Sequence, residues 1–254
     1  MARAFQTKLA PPYLKQVRLR DDVPIDRTCY PFNLPLLRDD DFTLRFDRAV
    51  TIIVGENGVG KSTLLEGIAA IAGFDQAGGG PGYRPLDHRD AVERNGDGLR
   101  DVLRASWLPK VGQGWFFRAE SFFSVSRYLD QAAGESAASP PDFLSHSHGE
   151  GFLRFFAERC TAPGIFLFDE PESALSPRRQ FEFVKLLRAI AEAGKAQVIV
   201  ATHSPILMAT PDAALFSMTR AGIDRIDLED TDHYRLYREF ILDPRGTVEA
   251  MSDD

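Results

Sequence analysis

The sequence predicts an α/β fold with a mainly parallel central sheet, an antiparallel N-terminal β edge and a helical insertion. Ala49 to Val54, Ile165 to Phe168 and Gln197 to Thr202 are short, almost continuous apolar runs, as expected of strands covered on both faces. The first two are each followed by a helix-periodic segment, and strands alternating with helices favour parallel pairing through crossover connections. The N-terminal third instead reads as short alternating strands broken by proline, which suits antiparallel pairing.

Taking the elements in order, Leu14 to Leu19 and Phe42 to Phe46 alternate apolar and polar residues on either side of a stretch punctuated by Tyr30, Pro31, Phe32 and Pro35. Ala49 to Val54 leads through glycines into a helix carried by Leu64, Leu65, Ile68 and Ile71, which Gly73 closes. Residues 75–98 are rich in Gly, Pro, Asp and Arg and predict loops with one short helix between Pro85 and Arg94. Asp101 to Leu129 is aromatic-rich with a strand at Trp115 to Arg118, and Gln131 to Pro141 is a connector of small residues. Residues 75–150 are therefore the expected helical insertion. A helix from Gly151 to Cys160 precedes the Ile165 to Phe168 strand. In the next helix Ser176 is the N-cap and Pro177 the first residue, Phe181, Val184, Leu187 and Ile190 trace one face, and Gly194 ends it. A hairpin around Arg220 to Gly222 and an amphipathic helix over Asp232 to Leu242 complete the chain.

With 254 residues, 44% of them hydrophobic, the chain can bury a substantial core, and one domain over residues 1–254 is expected. The net charge of −7 opposes a broad affinity for nucleic acid, although a local basic patch would be hidden in the total. Cys29 and Cys160 stand far apart, so neither a disulfide framework nor a zinc site is indicated and a reducing cytoplasm is expected. No run approaches the ~20 apolar residues of a membrane span, and Met1 to Ala10 lacks the apolar core of a signal peptide. A membrane role would need a partner subunit.

Gly55-Glu56-Asn57-Gly58-Val59-Gly60-Lys61-Ser62 matches the phosphate-binding loop pattern and lies between a predicted buried strand and a helix N-terminus. Glycines let backbone N–H groups crowd around phosphate oxygens while the helix dipole adds positive potential. Lys61 is expected to reach the β- and γ-phosphates, with Ser62 on Mg²⁺ and Thr63 beside it. Asp169 and Glu170 end a buried strand, where carboxylates face the same crevice. Asp169 suits Mg²⁺, and Glu170 suits the orientation or deprotonation of an attacking water. His203 ends the next strand and aims at the same edge. His146 and His148 form a His-x-His pair, but few further ligand types lie nearby to complete a metal site.

Together these residues resemble the ATP-binding cassette (ABC) superfamily, in particular its predicted ATPases without a transporter portion. Five motifs follow the family's order over most of the chain: the loop at Gly55 to Ser62, a Q-loop near Glu120, a signature-like Ser147-His148-Gly149-Glu150-Gly151, the strand ending in Asp169-Glu170, and His203. The usual signature is Leu-Ser-Gly-Gly-Gln, so His148 and Glu150 are departures while Ser147 and Gly149 match. At the Q-loop, Glu120 stands where glutamine is usual, with Gln113 as the other candidate and an ordinary surface Glu as the plain alternative. Ser173-Ala174-Leu175-Ser176 resembles the family's D-loop with serine for its last aspartate.

The resemblance implies an ABC ATPase head that binds ATP and Mg²⁺ and hydrolyses ATP through Glu170, His203 and Lys61. It also implies a head-to-tail homodimer in which Ser147, Gly149 and Glu150 cap the opposite γ-phosphate, with Ser62, Asp169 and Glu120 around the metal. Tyr30 and Phe32 are candidates to stack on adenine, though core packing explains both. Between Glu120 and Ser147 there is no room for the long coiled coil of chromosome-maintenance relatives. The expected role is a stand-alone ATPase whose dimer closure drives or switches a partner protein. The alternatives are a transporter nucleotide-binding subunit, a DNA-repair or defence ATPase, and a module that binds ATP without hydrolysing it.

Overall fold

The computed structural model describes residues 8–38, 40–76, 78–81, 95–118 and 148–252, the side chains of 95–97 and 148–150 excepted. The strands are β1 (Leu14–Leu19), β2 (Thr43–Arg45), β3 (Val50–Val54), β4 (Leu103–Trp107), β5 (Gly114–Arg118), β6 (Gly164–Asp169), β7 (Ala196–Ala201), β8 (Ala214–Thr219) and β9 (Gly222–Arg225). The helices are α1 (Lys61–Ala72), α2 (Asn95–Val102), α3 (His148–Arg159), α4 (Pro177–Ala193), the short α5 (Pro205–Met208), α6 (Asp232–Leu242) and α7 (Pro244–Ser252). The helix expected between Pro85 and Arg94 and the connector at Gln131 to Pro141 lie outside the described residues.

A six-stranded sheet runs β5-β6-β7-β3-β8-β9, parallel throughout except for the β8–β9 hairpin. Its apolar runs follow from coverage on both faces. Ile53, Ile165, Leu167, Ile199 and Ala201 join one core with Leu64, Leu65 and Ile68 of α1. Their neighbours Val50, Ile52, Phe166, Phe168, Val198 and Val200 join a second core with Phe152 and Phe156 of α3 and Phe183 and Leu187 of α4. Alternate residues therefore serve opposite cores, as strand geometry requires. The second core is aromatic: Phe168 meets Phe156 at 4.6 Å and Phe183 at 5.1 Å between ring centroids, both nearly edge to face.

A separate antiparallel sheet, β2-β1-β4, forms the expected N-terminal edge. β4 was not legible as a strand, and α2 forms where loop was expected despite Gly98. Tertiary packing overrides local propensity at α2: Leu99 and Val102 are buried in the first core, and Gly67 of α1 leaves room for Leu99, whose side chain a Cβ there would meet at 3.1 Å. Gly73 and Gly194 both take the left-handed conformation at the ends of α1 and α4, as the sequence predicts. Ser176 stands at the N-cap of α4 without a side-chain capping bond.

Gln197 joins the two sheets. Its side chain is fully buried within β7, where Oε1 accepts the backbone N–H groups of Tyr13 and Leu14, each at 2.8 Å, and Nε2 donates to the Leu14 carbonyl at 3.0 Å. A polar side chain amid an apolar strand is thus explained by the Tyr13 and Leu14 backbone groups that it satisfies. Gln197→Leu keeps the volume but strands two buried donors, each costing about 1–3 kcal/mol. Urea unfolding should show a loss of roughly 2–6 kcal/mol.

Candidate functional site

Parallel pairing brings the C-terminal ends of β3, β6 and β7 to one edge, so Gly55, Asp169 and the Thr202-His203 pair emerge side by side. The loop after β3 needs its glycines for identifiable reasons. Gly55 has φ +154°, and a Cβ there would lie 2.2 Å from the Met218 carbonyl oxygen of β8. Gly60, at φ +105°, starts α1 with its carbonyl accepting from the Leu64 N–H at 2.9 Å.

Lys61 is 4% exposed, and its ammonium donates to the carbonyls of Gly55 at 2.8 Å and Glu56 at 3.1 Å. Nζ also lies 2.8 Å from His203 Nε2. Burial lowers the Lys61 pKa against the opposing pull of Glu170 and Asp169. Because an ammonium has no acceptor, the Lys61 contact calls for a lone pair on His203 Nε2 and hence a neutral ring protonated at Nδ1. Burial, followed by the charge of Lys61, holds the His203 pKa below its ordinary value, in keeping with that neutral form.

Ser62 Oγ donates to Asp169 Oδ1 at 3.0 Å, so a hydroxyl and a carboxylate oxygen already share one point. That hard-oxygen pair fits Mg²⁺, which commonly takes one or two protein ligands and fills the rest of its shell with phosphate and water. Glu170 follows in a left-handed backbone conformation, φ 49° and ψ 53°, unusual for a residue with a side chain. The turn is held by Glu170 N–H to the Ala201 carbonyl at 2.9 Å and Ser173 N–H to the Glu170 carbonyl at 3.1 Å. Glu170 Oε1 lies 3.6 Å from His203 Nε2.

Of the predicted site residues, Gly55, Glu56, Asn57, Gly58, Val59, Gly60, Lys61, Ser62, Thr63, Asp169, Glu170 and His203 fall in this one region of the fold. A cavity of about 570 Å³ beside the loop is lined by Glu56 to Val59, Arg220, Asp232 and His233 among others. Ser147 and Glu120 lie outside the described residues, as does His146. Gly149 and Glu150 fall in the first turn of α3, where the backbone alone is described. Gln113 precedes β5 and its carbonyl accepts the Ile165 N–H at 3.0 Å, which puts it at the opposite end of the sheet from Asp169. That placement removes Gln113 as a Q-loop residue.

Four residues escaped the sequence. Arg118 ends β5 in register with Asp169; it donates to Glu66 Oε1 at 2.7 Å, and its Nε lies 3.8 Å from Asp169 Oδ2. A partly buried guanidinium thus backs the candidate metal ligand, a placement visible only once β5 and β6 are paired. Glu66 itself hides within the apolar pattern of α1. Glu172, in the 3₁₀ turn Pro171–Ala174, accepts the backbone N–H of His203 at 2.6 Å. His233, thirty residues beyond His203, leaves Nε2 at 3.1 Å from His203 Nδ1. Tyr30 corrects the core-packing expectation, since it is 47% exposed and its hydroxyl lies 2.6 Å from Thr63 Oγ1, whereas Phe32 does pack against the first core.

Comparison with known proteins agrees with this geometry. Residues 138–209 match the family described as "AAA domain, putative AbiEii toxin, Type IV TA system", and residues 31–96 match a second family described as "AAA domain". The hemin import ATP-binding protein HmuV of Burkholderia thailandensis is 30% identical over 197 residues, covering 63% of this chain and 70% of the relative. The thiamine import ATP-binding protein ThiQ of Photobacterium profundum is 28% identical over 207 residues, covering 70% of this chain and 79% of the relative. A solved structure described as an inward-facing conformation of a "putative metal-chelate type ABC transporter" shares the fold, with a TM-score of 0.50 at 14% identity over 89% of this chain and 88% of that one. The chain belongs to the ABC-type P-loop ATPases. It is an ABC ATPase-like nucleotide-binding domain, and among the described residues no helix is long and apolar enough to cross a membrane.

Glu172 offers a test of how the site is held. Burial raises its pKa above the ordinary 4.5, partly offset by the His203 N–H. With the folded pKa raised, folding takes up protons above about pH 4.5, so the contribution of Glu172 to stability declines as pH rises through that window. Glu172→Gln keeps an acceptor without the buried charge and should gain stability relative to wild type as pH rises from about 4.5 to 7, by urea midpoint. Glu172→Ala leaves the His203 N–H without its partner and should lose about 1–3 kcal/mol at pH 7.

Proposed function

We propose that the chain binds Mg-ATP, hydrolyses it to ADP and phosphate, and closes on a second copy of itself in the ATP state to drive or switch a partner protein. The observation that carries this is the convergence of Lys61, the Ser62–Asp169 pair, Glu170 and His203 at one sheet edge. Lys61 holds weak neutral acceptors, the Gly55 and Glu56 carbonyls, which phosphate oxygens can replace with a stronger charge-assisted bond. Ser62 and Asp169 would hold Mg²⁺, which would supply positive charge to offset the charge building on the phosphates. Glu120 is the third candidate around that ion.

Glu170 orients a water and takes its proton as the water oxygen attacks the γ-phosphorus. The bond to the β-phosphate oxygen breaks, and ADP leaves with that electron pair. His203 and Lys61 stabilise the transferring group. The remaining contacts come from the opposite copy: Ser147, with Gly149 and Glu150 of the first turn of α3, where the backbone N–H groups of a helix N-terminus favour an anion. A requirement for ATP supports a cytoplasmic location.

The names of the import ATP-binding relatives favour a second reading, in which the chain is the nucleotide-binding subunit of an ABC transporter. The partial match to a toxin–antitoxin family favours a soluble partner in defence instead. Co-purification of the native chain with a multi-span membrane protein would decide for the transporter.

Lys61→Ala should weaken Mg-ATP binding by about 10- to 100-fold, the worth of a hydrogen bond to a charged group, in an equilibrium titration; wild-type affinity would sink the assignment. Glu170→Gln should retain binding while kcat falls about 100-fold or more. Its mass in solution should double on adding Mg-ATP, and ATP binding without a change of mass would overturn the closure between copies.

A further inference from the structure

His203 is held twice. Its backbone N–H is fixed by Glu172 at 2.6 Å, whereas its ring is held between Lys61 Nζ at 2.8 Å from Nε2 and His233 Nε2 at 3.1 Å from Nδ1. The two imidazoles lie with centroids 5.3 Å apart and planes tilted by 49°, so the contact is an edge hydrogen bond and not a stack. His233 is itself well seated. It lies in the first turn of α6, whose N-cap Thr231 is 2% exposed, accepts the Tyr234 N–H at 3.2 Å and donates to the Leu228 carbonyl at 2.8 Å.

We propose that His233 is a positioning residue that supplies the partner His203 Nδ1 needs, and so holds the tautomer and ring orientation that Lys61 selects. The Lys61 ammonium requires His203 Nε2 to accept, so Nδ1 carries the proton and needs an acceptor, which His233 Nε2 supplies. When Lys61 turns to a phosphate, His203 Nε2 can bond that phosphate only as a donor. Its proton must then sit on Nε2, and Nδ1 becomes the acceptor. An imidazole at position 233 serves either arrangement, because its own Nε2 can accept or donate. Each ring exchanges one Nδ1 proton for one Nε2 proton through solvent, with no net uptake. An apolar residue at 233 would leave Nδ1–H unpaired in the first arrangement and Nδ1 unpaired in the second.

The consequence for turnover rests on the ATP-hydrolysis proposal, but the tautomer itself does not. Two variants separate chemistry from packing: His233→Gln puts an amide, able to donate or accept, near the place of Nε2, and His233→Leu fills the space without a hydrogen bond. On the full chain, ¹⁵N imidazole NMR should show His203 protonated at Nδ1 in wild type and in H233Q, and redistributed towards Nε2 in H233L. An unchanged His203 tautomer in H233L overturns the proposal whether or not the protein hydrolyses ATP. With Mg-ATP as substrate, H233L should lower kcat by about 10- to 100-fold with KM within about twofold, the signature of lost positioning. H233Q should keep kcat within about threefold of wild type. Equal losses in H233Q and H233L would show that a hydrogen bond to His203 Nδ1 contributes nothing to turnover and would overturn it. A wild type that binds Mg-ATP without turnover would refute hydrolysis alone, and the spectra would still decide for or against His233.

Discussion

Lys61 sets the hardest electrostatic condition in this molecule, a primary ammonium almost entirely removed from water at the edge of an apolar sheet. An isolated charge there would be very costly, so the chain must surround it with oxygen and nitrogen acceptors. The Gly55 and Glu56 carbonyls turn inward to do so, which a backbone can manage only with a glycine where Gly55 meets the β8 carbonyl. His203 supplies the third acceptor, and Glu170 and Asp169 add longer-range attraction. The loop, the strand ends and the histidine are thus mutually dependent.

That dependence explains the sheet order. Acceptors after β3 and β7 and carboxylates after β6 can converge on one ammonium only if those strands are adjacent and parallel, because parallel pairing aligns their C-terminal ends. Parallel strands in turn need helices on both faces, and the two cores divide alternate strand residues between α1 on one side and α3 with α4 on the other. Gln197 then fastens the small antiparallel sheet to the middle of the large one, tying the N-terminal strands to the strand that leads to His203.

Further charged groups sit behind the candidate metal ligands. Arg118 bridges Glu66 and Asp169, so the carboxylate next to Ser62 is oriented from the rear as well as from the front. On the far side, Glu172 and His233 grip His203 from the 3₁₀ turn and from α6. The histidine is consequently linked to the chain's C-terminal helices, whose outward face carries Leu236, Tyr237, Phe240, Ile241 and Leu242 in exposed positions.

Local patterns determined a good deal of this protein. Apolar strands, glycine and proline punctuation and the ordered Gly55–Ser62, Asp169-Glu170 and His203 motifs were enough to predict the α/β class and the edge at which those residues meet. Those features are legible because strand burial, helix termination and phosphate-loop geometry each constrain residues that are close in sequence. Tertiary structure alone decided the rest. β4 and α2 exist because neighbours distant in sequence bury them, and Gln113 was excluded because strand direction carries it away from Asp169. Arg118, Glu172 and His233 join the site only through strand register and helix seating, long-range contacts that leave no periodic trace in the sequence. The chain's own pattern names the groups that bear the chemistry, whereas only folding names the groups that hold them in place.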